Sequence, residues 1–302
     1  MNGPKTLIEF MEMYNTEEDC QRALYNHKWP DGFRCPRCGH DNAYAHRKRQ
    51  LFECKACGHQ TSLTADTVLH KTRVDLKKWF LAIFLLSQTK KTISAAELSR
   101  QLGIAPQTAW TMRRKITEAM ARREGELMIT GTCEMDESFM GGTRKGIRGR
   151  GAKGKTPVAV MAGVNESGAL GMVHMQAIGR VGSLSLEGAA QEAVTPGTDI
   201  ITDGLHAYRG LASLDYGHRH QVLESPEDAV AVLPWMHVTI SNFKRWVLDI
   251  FHGVSPKHLQ SYLDEFCYRL NRRRSRTDLF RRLLNRCVLY TGPVTYAQLV
   301  VS

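Results

Sequence analysis

Three side chains that could supply oxygen ligands to a metal are spread over the second half of the 302-residue chain. Asp136 lies on a segment that alternates like a strand, Asp203 ends a short apolar strand, and Asn242 falls in the first turn of a helix predicted over Ser241–Phe251. Hard divalent ions such as Mg²⁺ prefer oxygen ligands, and two such ions about 4 Å apart can hold both the attacking and the leaving oxygen of a phosphoryl transfer. The pattern therefore predicts metal-dependent phosphoryl transfer.

Other acids nearby fit this role less well. Glu137 would need a different strand register, because neighbouring residues of a strand point to opposite faces. Asp249 lies about 10 Å further along the helix axis than Asn242. Glu265 has Arg269 four residues later, which favours an ordinary surface ion pair. A single aspartate at a strand end is itself more often a surface group, so the choice of site depends on the order of the elements.

That order is three strands, a helix, and then strand, helix, strand and helix. It is typical of an α/β fold of the ribonuclease-H-like type, in which acids at the ends of the first and fourth strands meet at one edge of the sheet. The predicted strands cover 127–139, 157–164, 169–178, 199–203 and a segment near 219–223, and the predicted helices cover 184–193, a segment from His206, and 241–251.

Four of the eight cysteines form two C-x2-C pairs with 15 residues between them. This spacing is typical of a tetrahedral Zn²⁺ site, and the glycine after each pair permits the tight turn that aims backbone amides at sulfur. We predict a zinc ribbon with a structural role, because four thiolates leave no position for a substrate; disulfides are the alternative. The ligands are Cys35, Cys38, Cys54 and Cys57, whereas His40, His59 and the four scattered cysteines are predicted not to bind the metal.

A helix-turn-helix pattern follows the ribbon. After an apolar helix over 76–87, Ser94 and Glu97 form a predicted capping box, Gly103 ends that second helix, and a third begins near Pro106. We expect the last helix to contact DNA, although a plain helical hairpin is the alternative. Its predicted exposed side carries Gln107, Thr108, Thr111, Arg113, Arg114 and Lys115.

The positive charge is concentrated. The chain carries 41 Lys and Arg against 30 Asp and Glu, a net charge of +11. Residues 144–155 contribute +6 and residues 269–286 contribute +7, so the remainder sums to −2. Such concentration indicates a polyanionic partner rather than a scattered solvated surface.

Membrane and secretory proteins do not fit the sequence. The longest apolar run, Trp79–Leu86, has 8 residues, where about 20 are needed to span a bilayer. Acidic residues crowd the N-terminus, which argues against a secretory signal. We expect a cytoplasmic protein.

The motifs around these residues resemble the ISXO-type group of bacterial insertion-sequence transposases. The resemblance is carried by MDESFMGG at Asp136, ITDG at Asp203, HVTISNFKR at Asn242 and YLDEFCYRLNRR from Tyr262. The segments LIEF, WPDGFRCPRCG and HKTR in the first 73 residues fit as well. Together these motifs cover roughly residues 5–275.

The resemblance implies a DNA transposase with a DDE-type ribonuclease-H-like domain that uses Mg²⁺ or Mn²⁺. Such enzymes bind transposon ends, cleave them and join the 3′-hydroxyls to target DNA. Asp136 and Asp203 take the two aspartate positions, and Asn242 stands where the usual third glutamate would be. The expected partner is double-stranded DNA, bound by a homodimer in the bacterial cytoplasm at the nucleoid. Under this resemblance, the glycine-rich segment 144–155 would be a mobile arm for DNA phosphates, and 269–286 would line a groove for the DNA backbone. The predicted DNA-binding residues are Arg113, Arg114, Lys115, Arg144, Lys145, Arg148, Arg150, Lys153, Lys155, Lys244, Arg245, Arg272 and Arg273.

We divide the chain into four segments. Residues 1–70 hold the zinc ribbon, 71–126 the helix-turn-helix, 127–275 the catalytic domain and 276–302 a basic C-terminal tail. Two other functions remain open at this point: a DNA-binding regulator without catalysis, suggested by the missing third carboxylate, and a stand-alone nuclease of the same fold.

Overall fold

The computed structural model describes residues 3–46, 49–88, 91–141, 154–221, 232–274 and 278–301. The chain forms two compact units, one made of residues 1–120 and 275–302 and the other of residues 121–274. The cysteine pairs belong to the first unit, and Asp136, Asp203 and Asn242 belong to the second. In the part of the chain that the structure describes, no helix is long and apolar enough to cross a membrane.

The first unit begins with two capped helices and a small sheet. Thr6 caps α1 (Leu7–Met13), and Thr16 forms a capping box with Asp19 at the start of α2 (Glu17–Lys28). The antiparallel strands β1 (Ala43–His46), β2 (Leu51–Cys54) and β3 (Gln60–Ser62) follow. They form the ribbon that holds the cysteine pairs, which confirms the predicted zinc-ribbon fold.

The helical part of this unit has the predicted boundaries. The helices are α3 (Leu76–Gln88), α4 (Ala95–Leu102) and α5 (Pro106–Glu124). Ser94 Oγ accepts the Glu97 backbone N–H at 3.2 Å, and Gly103 ends α4 with a φ of 59°, the left-handed region that favours glycine. Two helices joined by a glycine turn thus follow the ribbon, in the order that the sequence predicts.

The C-terminal residues fold into this unit as helices. They form α9 (Leu279–Asn285), a short π-helix (Arg286–Tyr290) and α10 (Tyr296–Val301). Phe280 of α9 is buried, with ring centroids 5.9 Å from Phe10 and 6.0 Å from Phe80. The segment after residue 276 thus contributes apolar side chains to the core of the unit.

The second unit is built on a five-stranded sheet in the order β6-β5-β4-β7-β8. Strands β4, β5 and β6 are antiparallel neighbours, whereas β7 runs parallel to both β4 and β8. This order and these directions define the ribonuclease-H-like fold and confirm the predicted fold class. The strands are β4 (Thr132–Met140), β5 (Thr156–Val164), β6 (Leu170–Ala177), β7 (Asp199–Asp203) and β8 (Gly217–Gln221).

Helices cover both faces of this sheet. The helix α6 (Ser183–Ala193) and a 3₁₀ helix (His206–Ser213) pack on the face that carries Cys133 and Met135. The helices α7 (Pro234–Phe251) and α8 (Leu259–Asn271) pack on the face that carries Val158 and Val160, which we call the α7 face. Successive residues of a strand point to opposite faces. Cys133 and Met135 face α6, so Glu137 faces α6 as well, whereas Glu134 and Asp136 lie on the α7 face.

One boundary of this unit differs from the prediction in a way that matters for the site. Helix α7 begins at Pro234, seven residues before the predicted start at Ser241. Proline suits the first turn of a helix because its missing N–H would have no partner there. The hydrophobic residues from Trp235 onwards are therefore helical.

Candidate active site and zinc centre

Asp136 and Asp203 lie side by side on neighbouring parallel strands. The pairing of β4 with β7 joins Thr132 to Asp199 and Glu134 to Ile201, and continuing that register by two residues brings Asp136 level with Asp203. Neighbouring strands are about 4.8 Å apart where they are paired, and each aspartate lies two residues beyond the last β4–β7 pair, at the same edge of the sheet. The structure thus brings together the two predicted carboxylates.

Both aspartates also face the same side of the sheet. Asp136 is two residues after Glu134, whose carboxylate binds the start of α7. Asp203 is two residues after Ile201, which packs in the core of the α7 face. The alternation of a strand then places Asp136 and Asp203 on the α7 face.

Backbone amides orient each carboxylate. The Glu137 N–H donates to Asp136 Oδ1 at 2.8 Å, and the Leu205 N–H donates to Asp203 Oδ1 at 3.0 Å. Both aspartates are half-buried. A carboxylate held in this way keeps a defined direction, as a metal ligand must.

Glu137 lies on the opposite face, as strand alternation predicts. Its Oε2 accepts a 2.9 Å hydrogen bond from the buried hydroxyl of Tyr208. Burial raises the pKa of Tyr208 well above its usual range, and the nearby carboxyls of Glu137 and Asp136 raise it further. The Asp203 carboxyl also raises the pKa of Tyr208.

Asn242 occupies the third turn of α7 rather than the first, which corrects the prediction. The N-cap position belongs to Leu233, so Asn242 does not cap the helix. Its side chain is exposed. The next residue, Phe243, is buried in the core between the helix and the sheet. An exposed amide in mid-helix is available to a ligand.

The other acids considered in the sequence are placed as follows. Asp249 is exposed, two turns beyond Asn242 on the same helix. Glu265 forms the predicted ion pair with Arg269, at 2.9 Å, but its side chain is completely buried. The prediction of a surface pair was therefore wrong, because α8 turns this residue into the core.

Sequence reasoning missed Glu134. Its Oε2 accepts the backbone N–H of Met236 at 3.0 Å, across 102 residues of sequence. The side chain is 4% exposed, and burial raises the pKa of its carboxyl. Strand alternation alone could have shown that Glu134 shares a face with Asp136.

The cysteine cluster has the geometry of a four-sulfur metal site. The Sγ atoms of Cys35, Cys38, Cys54 and Cys57 all lie within 4.8 Å of one another. Two of the separations are 3.7 Å and 3.5 Å, and a tetrahedron with Zn–S bonds of about 2.3 Å has edges of about 3.8 Å. These distances fit zinc, and every cysteine of the chain is free of disulfides.

The two knuckles of the cluster share one backbone pattern. The Cys35 N–H donates to the His40 carbonyl and the Cys54 N–H to the His59 carbonyl, each at 2.9 Å. Gly39 and Gly58 turn the chain with φ of 74° and 67°. The histidines thus contribute backbone carbonyls to the turns, and the sulfurs complete the site.

Two of the predicted DNA-binding arginines are not on the exposed face of α5. Arg113 and Arg114 are each 4% exposed, and Arg113 Nε donates to the Ile93 carbonyl at 2.9 Å. Lys115 Nζ donates to the Val68 carbonyl at 3.3 Å. The prediction that these three project from the helix is corrected, because the middle of α5 is packed on several sides.

Arg272 and Arg273 are also engaged inside their unit. Arg272 forms an ion pair with Glu124 and lies 3.7 Å over the ring of Tyr268. Arg273 donates to the carbonyls of Leu170 and Leu270. These contacts engage both side chains at the end of α8, and the groove predicted over 269–286 stays a prediction.

Lys244 and Arg245 are exposed on α7. Burial lowers the pKa of Lys244, and the neighbouring Lys155 lowers it further. Lys155 and Lys244 line a cavity of about 320 Å³ whose walls include Phe139 and Phe243. The other predicted arm residues, Arg144, Lys145, Arg148, Arg150 and Lys153, lie outside the described residues.

Comparison with known proteins identifies both units. The family model described as an ISXO2-like transposase domain matches residues 128–271, and a transposase zinc-ribbon domain matches residues 15–60. Together they cover more than half of the chain. A relative from Halobacterium salinarum, described as an uncharacterized protein in transposable element ISH50, is 26% identical over 281 residues and covers 85% of this chain and 91% of its own length.

Similar solved structures include transposition and integration complexes. The Mos1 strand transfer complex is 15% identical, with a TM-score of 0.25, over 74% of this chain and 79% of that one. A simian T-cell lymphotropic virus intasome is 16% identical, with a TM-score of 0.31, over 56% of this chain and 63% of that one, which is less than two thirds of its length.

The family assignment rests on the two sequence models, which agree with the separate structures of the cysteine cluster and the sheet. The chain belongs to the ISXO-type family of insertion-sequence transposases.

Proposed function

We propose that this protein is a DNA transposase that binds the terminal repeats of its element, cleaves the DNA ends and joins the 3′-hydroxyls to target DNA. The observation that supports the proposal is that β4 and β7 are paired up to Glu134 and Ile201, two residues before Asp136 and Asp203 on the same face of each strand. The proposed ligands of catalytic Mg²⁺ or Mn²⁺ are these two aspartates and Asn242.

The donor set suits a hard divalent ion. Two carboxylates and one amide supply oxygen atoms only, which Mg²⁺ and Mn²⁺ prefer over nitrogen and sulfur. All three side chains are at least partly accessible, so water and DNA phosphates can complete the coordination. When bound, the ions would activate the attacking oxygen and stabilise the leaving oxygen of the phosphoryl transfer.

The chain's own residues hold this arrangement in place. The amides of Glu137 and Leu205 fix the direction of the two carboxylates. The exposed cations Lys244 and Arg245 lie next to Asn242 in the sequence of α7, where they can contact a DNA phosphate. The orientation of the carboxylates and the proposed phosphate contacts are both compatible with the described fold.

The first unit is proposed to bind the transposon ends. We propose that the zinc ribbon and the α4–α5 pair contact DNA, with the exposed beginning of α5 around Gln107 as the contacting part of that helix. The basic segment 144–155 is proposed to contact the DNA backbone. A homodimer is proposed because two ends must be joined together, and the bacterial nucleoid is the proposed place of action.

The four-part division of the chain also remains a proposal. Residues 1–70 and 71–126 would serve DNA recognition, and 127–275 would serve catalysis. Residues 276–302 are basic but pack as helices in the first unit. We propose that their role is partly structural.

Strand transfer by the purified full-length protein tests the proposal. The substrate is labelled DNA that carries the inverted repeats flanking the gene, with Mg²⁺ or Mn²⁺ and a target plasmid. We expect cleavage and joining by the wild type and neither reaction by Asp136→Asn or Asp203→Asn. Unchanged activity of either variant would contradict the proposed site.

Asp199→Asn is the matched control. Asp199 lies on the same strand and face as Asp203 but forms an exposed ion pair with Arg219, and such pairs add little stability. This variant should keep full activity. Binding without cleavage by the wild type would instead indicate a DNA-binding regulator, and cleavage without joining would indicate a nuclease.

A further inference from the structure

Helix α7 starts without a cap of its own. Its N-cap residue, Leu233, makes no side-chain hydrogen bond, and Pro234 has no N–H to donate. The first turn of a helix leaves several amides that need acceptors. Here the acceptor comes from another element: Glu134 Oε2 of β4 receives the Met236 N–H at 3.0 Å. Burial raises the pKa of this carboxyl, and the backbone amides of Met236 and Trp235 lower it.

The position of this bond links two parts of the proposed active site. Glu134 lies two residues before Asp136 on the same face of β4. Met236 lies six residues before Asn242, about 9 Å along the same helix. A strand carboxylate that holds the first turn of α7 therefore sets the height and rotation at which Asn242 stands relative to Asp136.

A local cap would have been enough to start the helix. Serine, threonine or aspartate at position 233 would satisfy the same amides in contact with water. Glu134 is instead buried, and among the described residues no basic side chain forms an ion pair with it. Burying a carboxylate in this way costs free energy, and what it adds over a local cap is attachment of the helix to the strand.

We propose that Glu134 is a positioning residue that attaches α7 to β4 and so holds Asn242 in register with Asp136. The inference rests on the proposed function, since it concerns the site that would bind the catalytic ions. Glu134 itself points to the helix amides and is not proposed as a metal ligand.

The test compares Glu134→Ala and Glu134→Gln with wild type in the full-length protein. Glu134→Ala should speed hydrogen exchange at the amides of the first turn of α7. It should also raise the Mg²⁺ concentration for half-maximal cleavage about tenfold or more, the usual effect of removing a group that orients a ligand. Binding of Mn²⁺ without DNA, followed by electron paramagnetic resonance, should weaken in parallel. Glu134→Gln should be affected less, because glutamine keeps a carbonyl acceptor.

Glu17→Ala is the matched control. Glu17 receives the amides of Leu76 and Lys77 at 2.8 and 3.0 Å and so caps α3 in the first unit by the same chemistry. Its loss should destabilise that unit without changing the Mg²⁺ requirement. A change of equal size in both alanine variants would mean that Glu134 acts on general stability only and would overturn the inference.

Different results would contradict the positioning role of Glu134 and the proposed function. An active wild type whose Mg²⁺ and Mn²⁺ requirements are unchanged by Glu134→Ala would overturn the positioning role alone. A wild type with no metal-dependent cleavage would overturn the proposed function and the inference with it.

Discussion

The hydroxyl of Tyr208 donates a 2.9 Å hydrogen bond to Glu137 Oε2 beneath the sheet. Glu137 directly follows Asp136, and Tyr208 comes five residues after Asp203. The bond therefore connects strand β4, which carries Asp136, to the 3₁₀ helix that follows Asp203. It lies on the face opposite to α7, so it can stabilise the pair of aspartates without touching a metal or DNA.

Removing this hydroxyl should loosen the site. Tyr208 is completely buried, and Tyr208→Phe takes one donor from a buried carboxyl group. We expect the free energy of unfolding of the second unit to fall by about 1–3 kcal/mol, measured by urea denaturation. Because the bond spans the two aspartates, the rate of cleavage should fall as well.

Tyr216→Phe provides the comparison. The Tyr216 hydroxyl donates to the Val194 carbonyl at 3.1 Å in the same core, but it contacts neither strand end at the site. A loss of about 1 kcal/mol with unchanged cleavage is expected. If both variants reduce cleavage equally, the Tyr208–Glu137 bond has no special relation to the site.

The ion pair of Arg272 with Glu124 leads to a second prediction. Both side chains are largely buried, 13% and 3% exposed. Arg272→Ala would leave a buried carboxylate without this partner, which typically costs about 3 kcal/mol. We expect a lower melting temperature and an unchanged salt dependence of DNA binding, because the guanidinium is engaged within the fold.

Arg245→Ala should have the opposite effects, with unchanged stability and an altered salt dependence of DNA binding. Its side chain is exposed, so stability should stay within about 0.5 kcal/mol of wild type. If Arg245 contacts a phosphate, the slope of log K against log[salt] should fall by about one. A lower slope for Arg272→Ala would show that this arginine does contact the DNA backbone.

The sequence predicts those parts of the fold that local patterns determine. The strand that ends at Asp203 and the turn at Gly103 both depend on residues close together in the chain, and both are where they were predicted. The spacing of the cysteine pairs is similarly local. The two aspartates could be paired in advance because strand order and alternation together fix the face and the edge of the sheet.

The parts that the sequence did not predict depend on distant partners. The first turn of α7, which begins at Pro234, donates the Met236 N–H to Glu134, 102 residues earlier in the chain. Arg113 is buried because the carbonyl of Ile93 receives its side chain. Arg272 turns inward to Glu124, which is 148 residues away. A charge count along the chain contains none of these contacts, so it could not show which arginines are engaged within the fold.

Loss of the cysteine cluster should unfold the ribbon. Cys38→Ser removes one of four sulfurs from a site whose metal stabilises the small sheet, and structural zinc supplies much of the folding free energy of such ribbons. We expect the zinc content, measured by mass spectrometry of the purified protein, to fall from about one ion per chain to near zero. Cys20→Ala changes a buried cysteine outside the cluster and should keep the zinc; loss of zinc from both would contradict the assignment.

Asn242→Ala should separate ligand binding from helix stability. Asn242 is exposed in the third turn of α7 and has no capping role, and alanine favours a helix interior over asparagine by about 0.7 kcal/mol. The variant should therefore be as stable as wild type or slightly more stable. If Asn242 is the third ligand, cleavage should nevertheless fall by about 100-fold, measured in Mg²⁺ and again in Mn²⁺.

The neighbouring position supplies the control for that experiment. Ser241→Ala changes an exposed residue of the same turn and should leave cleavage within about twofold of wild type, since serine has no assigned contact with the ions. Asn242→Asp restores a negative oxygen ligand and should recover activity, with tighter binding of Mn²⁺ because a carboxylate adds charge to the site. Full activity of Asn242→Ala would remove Asn242 from the ligand set and leave the two aspartates with a third donor elsewhere on the α7 face.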